Sequence, residues 1–256
     1  MKKIFHFIIA AGLVCALFSS CQKDDFVSVP PTPPSLQSLK IDCSALPTAT
    51  KSGEVNPAAV FLTFWEGIYN SIINIPVGGF EAAVNVQPQY VDGTWVWDSQ
   101  YKSYKVRLVA SEDGNKYNWE LQVSGNHWGR TEYFTWIKGW SRKNGGSGEW
   151  SILVGPDDTE VLITSEWVAD EGEVKYTSLN CSVDHAIGTF FEFYNNSNVT
   201  YTRGASDNSY DSTIVISYSQ IGNIDIEVVV EWNSKTGDCR IKSPVFYFDS
   251  KWHDWD

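Results

Sequence analysis

The stretch that decides the fold is Pro57–Ile75, PAAVFLTFWEGIYNSIINI. Asn56, directly before it, is a favourable N-cap, and Pro57 suits the first helical position, where a missing N–H costs nothing. Apolar residues then recur at three- and four-residue steps, the spacing of one helix face. They are Phe61, Phe64, Trp65, Ile68, Ile72 and Ile75, and Leu62, Tyr69 and Ile73 widen this stripe to most of the helix circumference. The stretch therefore predicts an apolar helix that begins at Pro57.

A thin polar line runs along this helix through Thr63, Glu66, Asn70 and Asn74. It is too polar for a comfortable membrane span and too narrow for a helix that lies in water. We therefore expect the helix to be buried inside the fold or to cap one opening of it. A carboxylate in such a place needs hydrogen-bond partners or takes a raised pKa. Glu66, Asn70 and Asn74 are accordingly candidate ligand-binding residues, and a purely structural network among them is the alternative.

Beyond Ile75 the pattern changes from helix to strand. Pro76, Gly78 and Gly79 predict the end of the helix, with one or two further turns over Phe80–Val84 as an option. The next segments, Tyr104–Ala110 and Tyr117–Val123, alternate apolar and polar side chains, as half-buried strands do. The turn residues Glu112–Asn115 between them predict a β-hairpin.

The same alternation recurs to the C-terminus and predicts an all-β domain of about eleven or twelve strands preceded by one helix. Short connections favour an antiparallel meander. Closing the meander would remove its two exposed edges, so we expect a closed or nearly closed β-barrel, with a half-open curved sheet as the alternative. Gly93-Thr94-Trp95 resembles the Gly-x-Trp of the first lipocalin strand, which implies a lipocalin-like barrel.

The N-terminus has the form of a targeting segment. Lys2 and Lys3 precede the apolar run Ile4–Phe18, which is too short to span a bilayer stably. Leu17–Cys21 resembles a bacterial lipobox, which implies cleavage before Cys21 and attachment of lipid to its sulfur. We therefore expect a signal peptide at residues 1–20, a lipid-anchored, proline-rich tether at residues 21–54 and one domain at residues 55–256.

The four residues after the predicted lipidation site also carry a resemblance. Gln22, Lys23, Asp24 and Asp25 resemble the acidic export signal of surface lipoproteins of the Bacteroidota. The resemblance implies a lipid-anchored protein on the outer membrane that faces the outside of the cell. An ordinary solvated tail is the alternative.

Part of the domain resembles Bacteroidota lipoproteins of unknown activity that share a helix followed by a meander. Four segments carry the resemblance: Val60–Trp65, Ile75–Val77, Thr94–Trp97 and Asn118–Leu121. It covers about Val60–Trp150 and implies the fold and the cellular location. It implies no activity.

The net charge argues against one class of partner. Without Lys2 and Lys3 the chain has 17 basic and 31 acidic residues, a net charge of −14. An acidic surface repels phosphates, so nucleic acid is not an expected partner.

Cysteine usage limits both disulfides and metal sites. Beyond Cys21 the chain holds Cys43, Cys181 and Cys239, which allow one disulfide at most. Cys181 and Cys239 both lie on apolar strand faces, so a disulfide could join them. No C-x-x-C motif or Cys/His cluster is present, and no metal or cofactor is expected.

Few residues point to catalysis. The predicted mature chain has three histidines, His127, His185 and His253, and no Gly-x-Ser-x-Gly motif. A glycosidase needs only two carboxylates, but most candidates lie on predicted outward strand faces. We expect no catalytic residue.

Two further patterns concern sugars. Trp95, Trp97, Trp136 and Trp140 include pairs two or four residues apart, which can form a platform for sugar stacking or pack in the core. Asp211-Ser212-Thr213 resembles the O-glycosylation acceptor of exported Bacteroidota proteins, which would place a glycan on Ser212.

Taken with the predicted anchor, these patterns favour a non-enzymatic surface lipoprotein. It would bind a small apolar ligand or a glycan through the barrel or its loops. A carbohydrate-active enzyme with paired carboxylates and a structural adhesion or interaction module are the alternatives.

Overall fold

A computed structural model describes residues 29–46, 55–125, 130–154, 160–171, 173–182, 198–204, 209–220, 224–244 and 251–255. The chain from Pro31 to Asp256 forms one compact unit. The predicted lipidation site Cys21 and export signal Gln22–Asp25 lie outside the described residues. So do the predicted signal peptide and residues 21–28 and 47–54 of the predicted tether.

One long helix, α1, spans Pro57–Val84. Its start is as predicted, because the Asn56 Oδ1 accepts hydrogen bonds from the N–H groups of Ala58 and Ala59 at 3.0 and 3.3 Å. The predicted end at Ile75 is wrong. Pro76 lies inside the helix and removes one backbone hydrogen bond, but the turns beyond it bury Val77 and Phe80, and this burial keeps the chain helical. No helix among the described residues is long and apolar enough to cross a membrane.

Thirteen strands follow in the described part of the chain. The first six are β1 Gln89–Val91, β2 Thr94–Tyr101, β3 Tyr104–Asp113, β4 Lys116–Gly125, β5 Arg130–Arg142 and β6 Ser147–Leu153. The others are β7 Val161–Asp170, β8 Glu173–Ser182, β9 Asn198–Arg203, β10 Ser212–Gln220, β11 Ile224–Trp232, β12 Cys239–Lys242 and β13 Trp252–Trp255. The predicted hairpin is β3–β4, and Gly114 at its turn has a φ of +58°.

The strands form a single antiparallel meander in which each strand pairs with its neighbours in sequence, from β1 to β13. This confirms the predicted all-β meander with one helix. The sheet is not closed, since β1 pairs with β2 and β13 with β12 in the described residues and the two edge strands do not pair with each other. The closed lipocalin-like barrel is therefore not confirmed. The edge strand β1 is three residues long and exposed, which limits the open edge.

The inward face of the sheet packs around α1. The helix packs chiefly against β2 and β3, while Phe80 meets Trp150 of β6 at 5.6 Å between ring centroids. At the other end of the helix, the Asn56 amide donates to the Cys239 thiol of β12 at 3.4 Å. The buried residues of the helix therefore belong to the common core, which agrees with burial inside the fold, one of the two expected placements.

The buried face of α1 differs from the predicted stripe. Leu62, Trp65, Tyr69 and Ile73 are buried, whereas Phe64 is 45% exposed. The apolar residues cover most of the helix circumference, so their spacing alone could not show which side meets the sheet.

A 3-10 helix, Leu36–Leu39, precedes α1, and the Ser35 hydroxyl caps it by accepting a hydrogen bond from the Gln37 N–H. Leu36, Leu39 and Ile41 are buried in the common core. The compact unit therefore begins about 25 residues before the predicted domain boundary at residue 55, and part of the predicted tether packs against the domain.

Candidate ligand-binding cleft

An open cleft of about 680 Å³ lies between α1, the segment 37–42 and the strands β8 and β9. Its polar lining comes from all of these elements. The lining includes Gln37, Lys40, Asp42, Glu66, Asn70, Asn74, Glu81, Tyr101, Lys175, Tyr176, Tyr201 and Arg203. The structure thus brings the predicted residues Glu66, Asn70 and Asn74 together in one cleft.

The helix places these three side chains at four-residue steps on one side, next to the buried face that holds Tyr69 and Ile73. Buried hydrogen bonds hold the opposite wall. The Tyr69 hydroxyl donates to the Leu39 carbonyl at 2.7 Å, and the Ser38 carbonyl accepts from the hydroxyls of Ser165 and Thr177 at 2.7 and 3.1 Å. The segment 37–42 is therefore fixed to both α1 and the sheet, and the cleft is preformed.

Two ion pairs lie in the cleft. Arg203 Nη1 contacts Asp42 Oδ2 at 3.2 Å, and Lys40 Nζ contacts Glu81 Oε1 at 3.4 Å. Hydrogen bonds from Ser44 lower the pKa of Asp42, and the positive charge of Arg203 acts in the same direction. Asp42 is thus held as a carboxylate at neutral pH.

Glu66 has a different environment. Burial and the nearby negative charge of Asp42 raise its pKa, while a hydrogen bond with Asn70 acts in the opposite direction. The pKa values of Asp42 and Glu66 are therefore shifted in opposite directions.

Tyr201 closes the floor of the cleft. It is 1% exposed, and its ring stacks on Trp232 with 5.9 Å between centroids. Burial raises the pKa of its hydroxyl. The hydroxyl oxygen itself is buried, and a backbone hydrogen bond at Asp42 acts on its pKa in the opposite direction.

The four tryptophans predicted as a sugar platform do not share a surface. Trp95 and Trp97 are inward residues of β2 and are 8% and 2% exposed, and Trp97 packs on Trp119. Trp140 faces the other way, where its Nε1 donates to Glu149 at 3.1 Å. Trp136 lies at a bulge between the residues of β5 that pair with β4. Trp95 and Trp97 therefore follow the core-packing alternative, and strand register and a bulge separate the four rings.

The predicted disulfide is also wrong. Cys181 lies on β8 and Cys239 on β12, with three strands between them, and both are buried and are not joined by a disulfide. Burial raises the pKa of Cys181 to about 12, so this thiol is unreactive at neutral pH.

Ser212 does not offer an accessible acceptor for glycosylation in the folded domain. It is 1% exposed, and its hydroxyl donates to Asp211 Oδ1 at 3.0 Å. No group of three or more His, Cys, Asp or Glu residues in the described ranges could hold a metal ion.

Sequence reasoning missed the second wall of the cleft. Asp42 lies in a stretch predicted to be tether, and no local pattern relates it to β9. Arg203 did carry a signal, since it shares an inward strand face with Val199 and Tyr201, and a charged residue at such a position needs a partner.

A second, apolar hollow of about 540 Å³ lies at the N-terminal end of α1 and is lined by Val55, Pro57, Val60, Phe61 and Phe64. Val55 and Val60 are exposed. None of its lining residues lines the polar cleft.

The chain matches no protein-family model, no curated protein and no solved structure with which it was compared.

Proposed function

We propose that this chain is a lipid-anchored surface protein that binds a small glycan in the polar cleft without converting it. The observation that carries the binding proposal is the preformed cleft of about 680 Å³. This volume lies within the usual range of small-molecule sites. The lipobox resemblance at Leu17–Cys21 supports the anchor.

The cleft lining favours a hydroxyl-rich ligand over an apolar one. Carboxylate, amide and tyrosine side chains face the space from three sides, and they can donate to or accept from sugar hydroxyls. An apolar ligand would leave these groups desolvated and unpaired, which is costly. The apolar hollow at Val60 and Phe64 suits such a ligand better, but it is the smaller of the two concavities.

One observation favours the enzyme alternative. Asp42 and Glu66 lie in the same cleft with pKa values shifted in opposite directions, a pattern found in acid–base pairs. Asp42, however, is already engaged by Ser44 and Arg203. We therefore rank binding without hydrolysis first.

Glycan binding can be tested by filling the cleft. Asn70→Trp places a large side chain on the cleft wall, and we expect it to lower the affinity for the strongest hit of a glycan array at least about tenfold, since it excludes ligand from the lining groups. Isothermal titration calorimetry with the parent and the variant measures this.

The matched control is Thr63→Trp, which adds the same side chain at an exposed position of α1 outside the cleft. It should bind like the parent. If the parent protein binds no glycan on the array, or if Asn70→Trp and the parent bind with equal affinity, the proposal is contradicted. Release of glycan fragments that stops in Glu66→Gln would support the enzyme instead.

The anchor is tested separately with Cys21→Ala. We expect this variant to remain unprocessed and to lose its outer-membrane association, because the residue at the predicted lipidation position then has no thiol to receive the lipid. Membrane fractionation, with Cys43→Ala as the control thiol, measures it. A Cys21→Ala protein that still fractionates with the outer membrane would show that the lipobox interpretation is wrong.

A further inference from the structure

The charges of the cleft are matched except at one place. Arg203 is paired with Asp42 and Lys40 with Glu81, and Lys175 pairs with Glu173. Glu66 has no basic partner among the described residues. The polar neighbour that the structure gives it is the Asn70 amide. The cleft therefore holds one carboxylate that no cation of its own wall neutralises.

The surroundings of Glu66 favour a positive charge. Asp42 acts on it as a second negative charge, and the whole chain has a net charge of −12. An ammonium group placed at Glu66 would be attracted by the unmatched carboxylate, and partial burial strengthens that attraction. An anionic ligand would be repelled by the same carboxylate.

Neutral polar groups lie beside Glu66 on the same wall of the cleft. Asn70 and Asn74 follow Glu66 at four-residue steps along α1 and line the same space. A ligand that reaches Glu66 with an ammonium group can therefore place its hydroxyls at these two amides.

We propose that the cleft binds a sugar that carries a free ammonium group, with the ammonium group at Glu66 and sugar hydroxyls at the amides of Asn70 and Asn74. This inference rests on the proposed glycan-binding function and specifies its ligand class. Glu66 acts as the specificity-determining residue, because it separates amino sugars from their neutral counterparts.

The test is calorimetry of the full chain at pH 7 with glucosamine, glucose and N-acetylglucosamine. Glucosamine should bind at least about tenfold more tightly than the other two, since only it offers a charge-assisted hydrogen bond. Glu66→Gln should abolish this preference. The matched control Glu81→Gln removes a cleft carboxylate that already has a partner and should keep the preference.

Equal affinity for the three sugars, or a preference that survives Glu66→Gln, overturns the inference and leaves glycan binding intact. Ethanolamine has an ammonium group but no sugar ring, so it tests the opposite case, in which the ammonium site exists and glycan binding fails. If it binds in a Glu66-dependent way while glucose and N-acetylglucosamine do not bind, the ammonium site stands and the glycan function fails. If none of the four probes binds, both proposals fail.

Discussion

Replacing Trp65 by alanine is expected to lower the free energy of unfolding by about 3–5 kcal/mol, the usual cost of truncating a buried tryptophan. Trp65 is 2% exposed and packs edge-on against Phe61 and Phe64, with ring centroids 6.3 and 6.2 Å apart. The truncation leaves a cavity at the centre of α1, which rigid strands on the other side cannot fill. In a domain of this size the melting temperature should fall by about 10 °C.

Phe64→Ala is the matched control for this variant. Phe64 neighbours Trp65 on the same helix but is 45% exposed, so its truncation should cost at most about 1 kcal/mol. Urea denaturation followed by tryptophan fluorescence measures the free energy of unfolding of both variants, and thermal melts followed by circular dichroism measure their melting temperatures. A Trp65→Ala domain that melts within two degrees of the parent would show that α1 is not central to the core.

Gly139→Ala is expected to destabilise the sheet by about 3 kcal/mol, near the upper end of overpacking costs. Gly139 of β5 lies opposite Trp150 of β6. A Cβ on Gly139 would overlap the Glu149 carbonyl oxygen and the Trp150 ring. Because the carbonyl belongs to the paired backbone, it cannot move aside without breaking the β5–β6 ladder.

The matched control is Gly67→Ala on α1, where an added Cβ meets no atom within 4 Å. Alanine is the better helix former, so this substitution should stabilise the domain by up to about 1 kcal/mol. The two variants add the same methyl group and should shift the urea midpoint in opposite directions. A Gly139→Ala midpoint equal to that of the parent would contradict the tight β5–β6 packing.

Local signals in the sequence predicted most of the elements. The start of α1 follows from Asn56 and Pro57, since capping is settled within one turn. The β3–β4 hairpin follows from alternation on either side of a Gly114 turn. The end of α1 could not be predicted in this way, because the residues that keep the helix beyond Pro76 are held by tertiary burial of Val77 and Phe80.

The candidate cleft was predicted only on its helical wall. Glu66, Asn70 and Asn74 are related by helix periodicity, which a sequence shows directly. Asp42 and Arg203 are 161 residues apart, and their ion pair depends on how the segment 37–42 packs against β9. No local rule predicts such a contact.

The sequence by itself determined the helix start, the antiparallel strands and the polar line of α1, because propensity, capping and alternation act over a few residues. Only the tertiary structure decided which side of α1 is buried, that the sheet stays open, that Trp97 and Trp140 face opposite ways, and that Cys181 and Cys239 stay apart. These outcomes depend on strand register and long-range packing, in which a shift of one residue exchanges the two faces of a strand.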